Sequence, residues 1–376
     1  MHRLAVSALL IAALAVGSTH AAAPSSPQPK SEPGPFQVET VAEGFEHPWG
    51  LALLPDGRML ITERAGRMRV IDRSGKASAP LKGLPKVAAG GQGGLLDVTL
   101  SPSFANDSLV YFSFSEPGQG GSGTAVARGR LGTDALEDVQ VIWRQTPKVD
   151  SRLHFGSRIV FAPNDTMFIT TGDRYNQRPK VQDLSTTIGK VIRINIDGTI
   201  PSDNPFVTRD GARPEIWSYG HRNIQAAALH PETNELWTVE HGARGGDELN
   251  NPQAGKNYGW PVITYGIDYS GEKIGEGTEK PGMEQPVYYW DPVIAPSGAL
   301  FYTGDAFKEW QGDLLIGSMT PGGLVRLEME GGKVTKETRY LGELRERIRD
   351  VQQGADGSIY LITDSRQGRV LRLTPK

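Results

Sequence analysis

The chain has 376 residues, 40 Lys+Arg against 43 Asp+Glu, a formal net charge of −3 and no cysteine. The near-neutral balance removes the electrostatic case for a nucleic-acid partner. The missing thiols exclude disulfides, dithiol redox chemistry and thiolate metal sites, so stability must come from packing, ring closure or metal.

The opening MHRLAVSALLIAALAVGSTHAAA joins a short basic start (His2, Arg3) to an apolar run over residues 4–16 and a small-residue end. It reads as a secretory signal peptide over residues 1–23, too short and wrongly flanked for a membrane span. The mature protein is therefore expected in the periplasm or outside the cell. PSSPQPKSEPGP, residues 24–35, reads as a Pro/Ser-rich linker with little to bury. Residues 36–376 are expected to form one domain without a membrane span.

Within that domain 46 glycines and 26 prolines punctuate a recurring unit: a turn bearing Asp, Asn or Gly, an apolar strand, a short polar turn and a second strand. LPDGRMLITERAGRMRVID (54–72), LSPSFANDSLVYFSFSE (100–116), FAPNDTMFITTGD (161–173), LHPETNELWTVEHG (229–242), the stretch 302–329 and GADGSIYLITDSRQGRVLRL (354–373) are its instances. Six hairpin-rich units at intervals of roughly 50–70 residues, with about four strands each, predict an all-β, six-bladed β-propeller. FQVETVAEG (36–44) is expected to join the C-terminal blade and close the ring. A pair of β-sandwiches is the alternative, and it leaves the repeat unexplained.

In a propeller the strand ends converge on a central channel, and loops at one mouth bring distant residues together. Taken in chain order, the candidates begin with His47 before PWG, read as structural, and His230 in HPETN, read as a turn residue. GQGGLLDVTLSP sets Gln92 among glycines directly before a strand, either a turn or a place where backbone approaches a ligand. HFGSRIVFAPNDTMFITTGDRY (154–175) reads as a hairpin about an Asn-Asp turn, with His154 at one tip and Asp173 at the other. A histidine suits a general base near neutral pH. WSYGHRNIQ places His221, Arg222 and Asn223 in a row, and a guanidinium beside an amide suits a carboxylate or quinone oxygen. VEHGARGGDELNNPQAGKNYGWP (239–261) offers Glu240, Asp247 and Glu248 with glycine-exposed carbonyls, a donor set that suits Ca²⁺ without matching an EF-hand. RERIRDV spaces Arg347 and Arg349 two apart, on one face of a strand, where they invite an anion.

Together HPWGLALLPDGRMLITER, GQGGLLDVTLSP, HFGSRIVF, TTGDRYN, IGKVIRINIDG, WSYGHRNIQ, EHGARGGDELN, GKNYGWP, DPVIAPSG and RIRDV with DGSIYLITD resemble, in order from about residue 40 onward, the soluble dehydrogenases of sugars that depend on pyrroloquinoline quinone (PQQ), especially the aldose sugar dehydrogenase branch. The family fold is a six-bladed propeller. The resemblance implies PQQ- and Ca²⁺-dependent oxidation of aldoses at C1 to lactones. It implies His154 as the base and Arg222 as the stabiliser of charge on the quinone. Gln92, Asp173, Asn223 and His241 would line the cofactor or substrate site, and Arg347 and Arg349 would bind PQQ carboxylates. Gly242 and Ala243 would offer carbonyls to one Ca²⁺, and Glu248 and Tyr258 would belong to a second. Thr320 and Pro321 in SMTPGGLVRL stand where the glucose dehydrogenase branch has a lysine. The chain also lacks that branch's long insertions, which implies broad aldose specificity and a monomer or weak dimer. A quinone or small redox protein is the expected electron acceptor. The absence of a Rossmann fingerprint disfavours NAD and FAD. Two other readings stay open at this point: a Ca²⁺-dependent, lactonase-like hydrolase using His154 towards water, and a carbohydrate- or protein-binding propeller without chemistry.

Overall fold

The computed structural model describes residues 29–376, so the expected signal peptide and the first part of the linker lie outside the described residues. Six sheets follow one another along the chain, antiparallel except for one short strand added to the edge of the fifth. The first blade has three strands, Pro48–Leu53, Met59–Glu63 and Arg67–Ile71, with only an Ile71–Ala77 bridge where a fourth would lie. The second blade begins at Leu95–Leu100, the third at Ile159–Ala162, the fourth at Ile224–Leu229 and the fifth at Pro296–Phe301, each with four strands in meander order. The sixth takes three strands from the C-terminus, Ile348–Gln353, Ile359–Thr363 and Gly368–Pro375, and its outer strand from the other end of the chain. That strand, Phe36–Phe45, pairs antiparallel with Gly368–Pro375 from Phe36↔Pro375 to Phe45↔Gly368. The ring is thus closed by hydrogen bonds between residues more than three hundred positions apart in sequence, as the N-terminal strand predicted.

The sequence reason for the ring lies in the second strand of each blade. Met59–Glu63, Thr166–Thr170, Leu236–Glu240 and Leu314–Ser318 are buried at every position. A sheet covered on both faces wants continuous apolar runs rather than alternation. The covers are the neighbouring blades. Leu60 and Met68 pack with Leu95 and Phe112 between the first and second blades, and Trp143 with Met167 and Ile192 between the second and third. Phe168 meets Ile224, Trp237 meets Leu314 and Val325, Phe36 and Tyr302 meet Ile348 and Leu371, and Phe45 and Val370 meet Leu51 and Ile61. Every blade therefore buries two apolar faces, and each fully buried aliphatic or aromatic side chain stabilises by roughly 1.5–3 kcal/mol.

Two local expectations meet their outcome here. The Asn164-Asp165 turn belongs to a three-residue connection, Pro163 to Asp165, between the paired Ala162 and Thr166, with Asn164 and Asp165 both at positive φ (62° and 53°). The linker is not wholly a free tether: Ser31–Glu32 lies parallel to Arg339 and Tyr340 at the outer edge of the fifth blade, and the Ser31 hydroxyl accepts the Gly342 N–H at 2.8 Å.

Candidate functional site

The first strands of neighbouring blades line the channel, and the residues just before them gather at one mouth. His47, Ala295 and Arg347 occupy this position directly, and Gln92 lies three residues before the first strand of the second blade. The residue directly after a second strand returns to the same mouth, as Arg64, His241, Met319 and Asp364 do. These eight side chains, with Trp49, Gln225 and Arg349, line one cavity of about 350 Å³. The mouth is thus built from two equivalent positions of the repeat, recurring from blade to blade.

One carboxylate stands among several cations in this cavity. Asp364 binds the Arg349 guanidinium at 2.5 Å, Arg64 at 3.4 Å, the His47 ring at 2.8 Å and Arg347 at 3.7 Å. Burial alone would raise its pKa, but Arg349, Arg64 and the His47 hydrogen bond outweigh burial and hold it well below the usual carboxylate range. Burial brings Arg349 down to about 10, so it stays charged. Three arginines against one aspartate leave the cavity with excess positive charge. The Nε atoms of Arg64 and Arg349 and the Nε2 of His241 are buried and have no partner among the described residues. An unmet buried donor is costly unless a ligand satisfies it. His47, expected to be structural, does hold the bend before the first strand, and its ring also lines this cavity. Arg64, Gln225, Trp49 and Asp364 were missed. The positional repeat was the available signal for Arg64 and Asp364, since each directly follows the second strand of its unit.

His154 stands beside this cavity and is joined to it by Gln92, whose Oε1 accepts the His154 backbone N–H at 2.8 Å. The glycines around Gln92 serve a turn: a Cβ on Gly91, at φ 60°, would lie 2.5 Å from the Arg152 carbonyl. The His154 Nδ1 lies 2.6 Å from Asp173 Oδ1. Asp173 Oδ2 accepts the Trp260 indole N–H at 2.9 Å, and Oδ1 also accepts the Tyr175 N–H at 2.7 Å. Trp260 comes from the long loop between the last two strands of the fourth blade, so tertiary structure alone supplies it. With Nδ1 held by the carboxylate, Nε2 is the nitrogen left to take a proton. Burial lowers the His154 pKa; the Asp173 hydrogen bond pulls it up, Arg222 pushes it down, and the result lies below the ordinary histidine value. The ring is neutral at pH 7, as a base must be.

Arg222 and Asn223 precede the first strand of the fourth blade. The Asn223 Oδ1 accepts the Gly156 N–H at 3.1 Å and so braces the His154 loop. The Arg222 guanidinium lies over Trp260, 5.2 Å from the ring centroid, and its Nη1 donates to the carbonyls of His241 (3.0 Å) and Gly242. Its Nε and Nη2 are buried and unpartnered among the described residues. His221 in the same row is a strut: its two ring nitrogens meet Glu240 and Ser218, both at 2.9 Å, and the ring stacks on Tyr258.

The acidic segment divides. Asp247 accepts the N–H groups of Gly242 (2.7 Å), Ile294 (2.8 Å) and Ala295 (2.7 Å), so it ties two loops together rather than facing a metal. Burial pushes it up to about 6, still ionised at neutral pH. Glu240 is taken by His221, Asn250 and the Arg222 N–H. Glu248 is different. Burial, then repulsion from Glu240, drives its pKa well above the usual range. Glu248 and Tyr258 line a small cavity of about 10 Å³ with Glu240 and Gly242. That is room for one water-sized occupant, and a cation there would relieve the repulsion. The Tyr258 hydroxyl is already engaged by Asn251 O and Gln253 N, which leaves its carbonyl as the available donor. At Gly242 the fit is poorer, because the Arg222 guanidinium already occupies the carbonyl. No group of three His, Asp or Glu side chains poised for a metal exists among the described residues, so any cation there must draw on carbonyls.

Comparison with known proteins decides the family. The profile described as glucose/sorbosone dehydrogenase matches residues 45–372. The aldose sugar dehydrogenase of Escherichia coli K12 is 47% identical over 350 residues, covering 92% of this chain and 94% of its own. The chain belongs to the glucose/sorbosone dehydrogenase family. It is an oxidoreductase fold in full: the apo crystal structure of the soluble E. coli aldose sugar dehydrogenase superposes with a TM-score of 0.88 over 91% of this chain and all of the other. The PQQ-bound aldose sugar dehydrogenase of Streptomyces coelicolor, 28% identical, superposes at 0.75 over 91% of this chain and 99% of the other. The quinoprotein glucose dehydrogenase B of Acinetobacter calcoaceticus matches at 28% over 455 aligned positions, with 97% of this chain and 93% of its own covered. That span exceeds the 376 residues here, so that relative carries insertions this chain lacks.

Proposed function

We propose that this protein oxidises aldose sugars at the anomeric carbon to lactones, with PQQ as oxidant and Ca²⁺ as its companion ion. The observation that carries this reading is the neutral His154, oriented by Asp173, standing next to a cation-rich cavity whose arginine N–H groups lack partners. PQQ is a planar quinone with three carboxylates, and such a cavity suits it in charge, in donors and in volume. Gln92, Asn223, His241, Arg347 and Arg349 would hold it, with Arg64 as a further cation. Met319 and the Arg347 guanidinium, which reaches the Met319 carbonyl at 3.4 Å, stand beside Thr320 where the glucose dehydrogenase branch places a lysine. Arg347 would then supply the charge that the lysine supplies there.

Bound in the cavity, the quinone would supply the two-electron acceptor for the C1 hydride. His154 Nε2 would take the proton of the C1 hydroxyl, leaving the lactone carbonyl. Asp173 keeps the imidazole in the tautomer that exposes Nε2 and stabilises it once charged. The free Nε–H and Nη2–H of Arg222 would stabilise negative charge developing on the acceptor oxygen, a preorganised electrostatic role. Trp260 excludes water from Asp173 and fixes its orientation. Glu248 and the Tyr258 carbonyl would hold a structural Ca²⁺, and the Gly242 and Ala243 carbonyls a second ion, for which Arg222 would have to release the Gly242 carbonyl. The signal-like start supports export to the periplasm or beyond, and among the described residues no helix is long and apolar enough to cross a membrane.

The test is reconstitution. Purified protein is mixed with PQQ and Ca²⁺, and dye reduction is followed with a panel of aldoses. Turnover that needs all components is the expected result. If lactone is hydrolysed instead, with no dye reduction and no PQQ binding by calorimetry, the hydrolase reading replaces this one.

A further inference from the structure

Directly after Asp173 the chain presents an exposed aromatic ring beside the base. Tyr175 is 44% exposed, although its neighbours Asp173 and Arg174 are fully buried. Its ring meets the His154 ring edge-on, with centroids 5.5 Å apart and planes at 79°. Its hydroxyl has no partner among the described residues, so no hydrogen bond accounts for its being tyrosine. The backbone is held there against its preference. Arg174 and Tyr175 are consecutive non-glycine residues at positive φ, 55° and 65°, a conformation that disfavours L side chains and concentrates at functional sites.

Two anchors enforce it. The Tyr175 N–H donates to Asp173 Oδ1. The Arg174 guanidinium is buried, stacked 3.7 Å over Phe155, and donates to the carbonyls of Leu153 (3.0 Å), Ser122 (2.9 Å) and Ser151 (2.5 Å). Burial brings its pKa down to about 10, so the charge persists without a carboxylate in hydrogen-bond contact. A buried arginine capped only by carbonyls fixes where the next residue must stand. The buried imidazole and the half-exposed phenol ring then meet at close to a right angle, with the phenol on the solvent side.

We propose that Tyr175 is the sugar platform of the site, packing its ring against the C–H face of an aldopyranose whose C1 hydroxyl points at His154 Nε2. This rests on the dehydrogenase reading above and deepens it. A pyranose with equatorial hydroxyls carries its axial C–H bonds on its faces, and such a face is the apolar surface an exposed aromatic ring receives best. The platform contributes to binding sugar and transition state alike, so it acts on KM rather than on kcat.

The test uses the full chain loaded with PQQ and Ca²⁺. Tyr175→Ala should raise KM for glucose and xylose about tenfold, the size of one aromatic contact, with kcat nearly unchanged. Tyr175→Phe and Tyr175→Trp should restore KM, because the ring and not the hydroxyl is required. Tyr175→Gly should raise Tm by relieving the positive φ and yet bind sugar as weakly as the alanine variant, which separates the ring from backbone strain. Calorimetry with 1,5-anhydroglucitol, a pyranose without a C1 hydroxyl to oxidise, gives the same comparison without turnover, and PQQ affinity should be equal in all variants. Unchanged KM and 1,5-anhydroglucitol affinity in Tyr175→Ala overturn the platform while leaving the dehydrogenase reading intact. A fall in kcat or PQQ affinity instead also overturns it, in favour of a role in bracing Asp173. No turnover in the wild type overturns both.

Discussion

The two ends of the central channel hold two buried ion clusters of opposite character. At the floor, Arg158 lies between Asp97 (2.8 Å) and Asp350 (2.9 Å), donates to the carbonyls of Gln225 and Arg349, and stacks 4.3 Å over Trp49. Carboxylates outnumber the cation there, and none of the Arg158 nitrogens is without a partner. Beyond it lies the other mouth, a cavity of about 420 Å³ lined largely by strand residues of the blades. At the upper mouth cations outnumber Asp364, and arginine and histidine nitrogens are left unmet. A closed polar network is structure; an open one in a cavity awaits a ligand. Arg349 and Trp49 join the two, so the floor sets the height at which the upper site is held.

The strongest way to sharpen the contrast is at the base. His154→Ala should lower kcat about 10²–10⁴-fold, the usual contribution of a positioned base, with PQQ affinity unchanged. Equal turnover in the variant would remove His154 from the chemistry. At the floor, Arg158→Met leaves two buried carboxylates uncompensated and should destabilise the fold by about 3–5 kcal/mol in denaturant titration. A loss below 1 kcal/mol, on the order seen for exposed pairs, would mean the floor is wet. Arg347→Ala makes the opposite trade. Its side chain is 50% exposed, so stability should change by less than about 0.5 kcal/mol, while PQQ affinity falls about ten- to a hundredfold with the loss of one charged contact.

The smallest effects are in pH. Because the folded state lowers the His154 pKa, the acid limb of kcat/KM should lie below the ordinary histidine value of about 6.5. Asp173 pulls that pKa up, so Asp173→Asn should move the limb to still lower pH while reducing the rate. Linkage gives the matching stability trend. Below pH about 6.5 the unfolded chain binds a proton that folded His154 resists, so stability falls as pH falls through that range. Asp364 acts in the same direction at lower pH, since its depressed carboxylate stabilises above the unfolded aspartate value and that contribution is lost on acidification. A limb above pH 7 would show that His154 is not the titrating base.

Sequence periodicity by itself determined the architecture. Blade strands are covered on both faces, so their apolar runs recur with the repeat, and the turn residues between them mark each hairpin. It also placed the polar tips of those hairpins, because a residue at the end of a strand must come out at one mouth or the other. His154 and Asp173 stood out in that way, Gln92 by the glycines around it and the arginine pair by its spacing, while their roles came from the resemblance. Only the tertiary structure decided what each polar group does. Asp247 and Glu240 read like metal ligands until their oxygens are seen to hold backbone N–H groups and His221. His47 reads as merely structural until Asp364, brought to it by ring closure, bonds its ring at the wall of the cavity. Trp260 reaches Asp173 from a long loop without any periodic signal. The physical reason is the same in each case. Apolar burial follows local pattern, whereas the role of a buried polar group depends on partners that chain closure brings from hundreds of residues away.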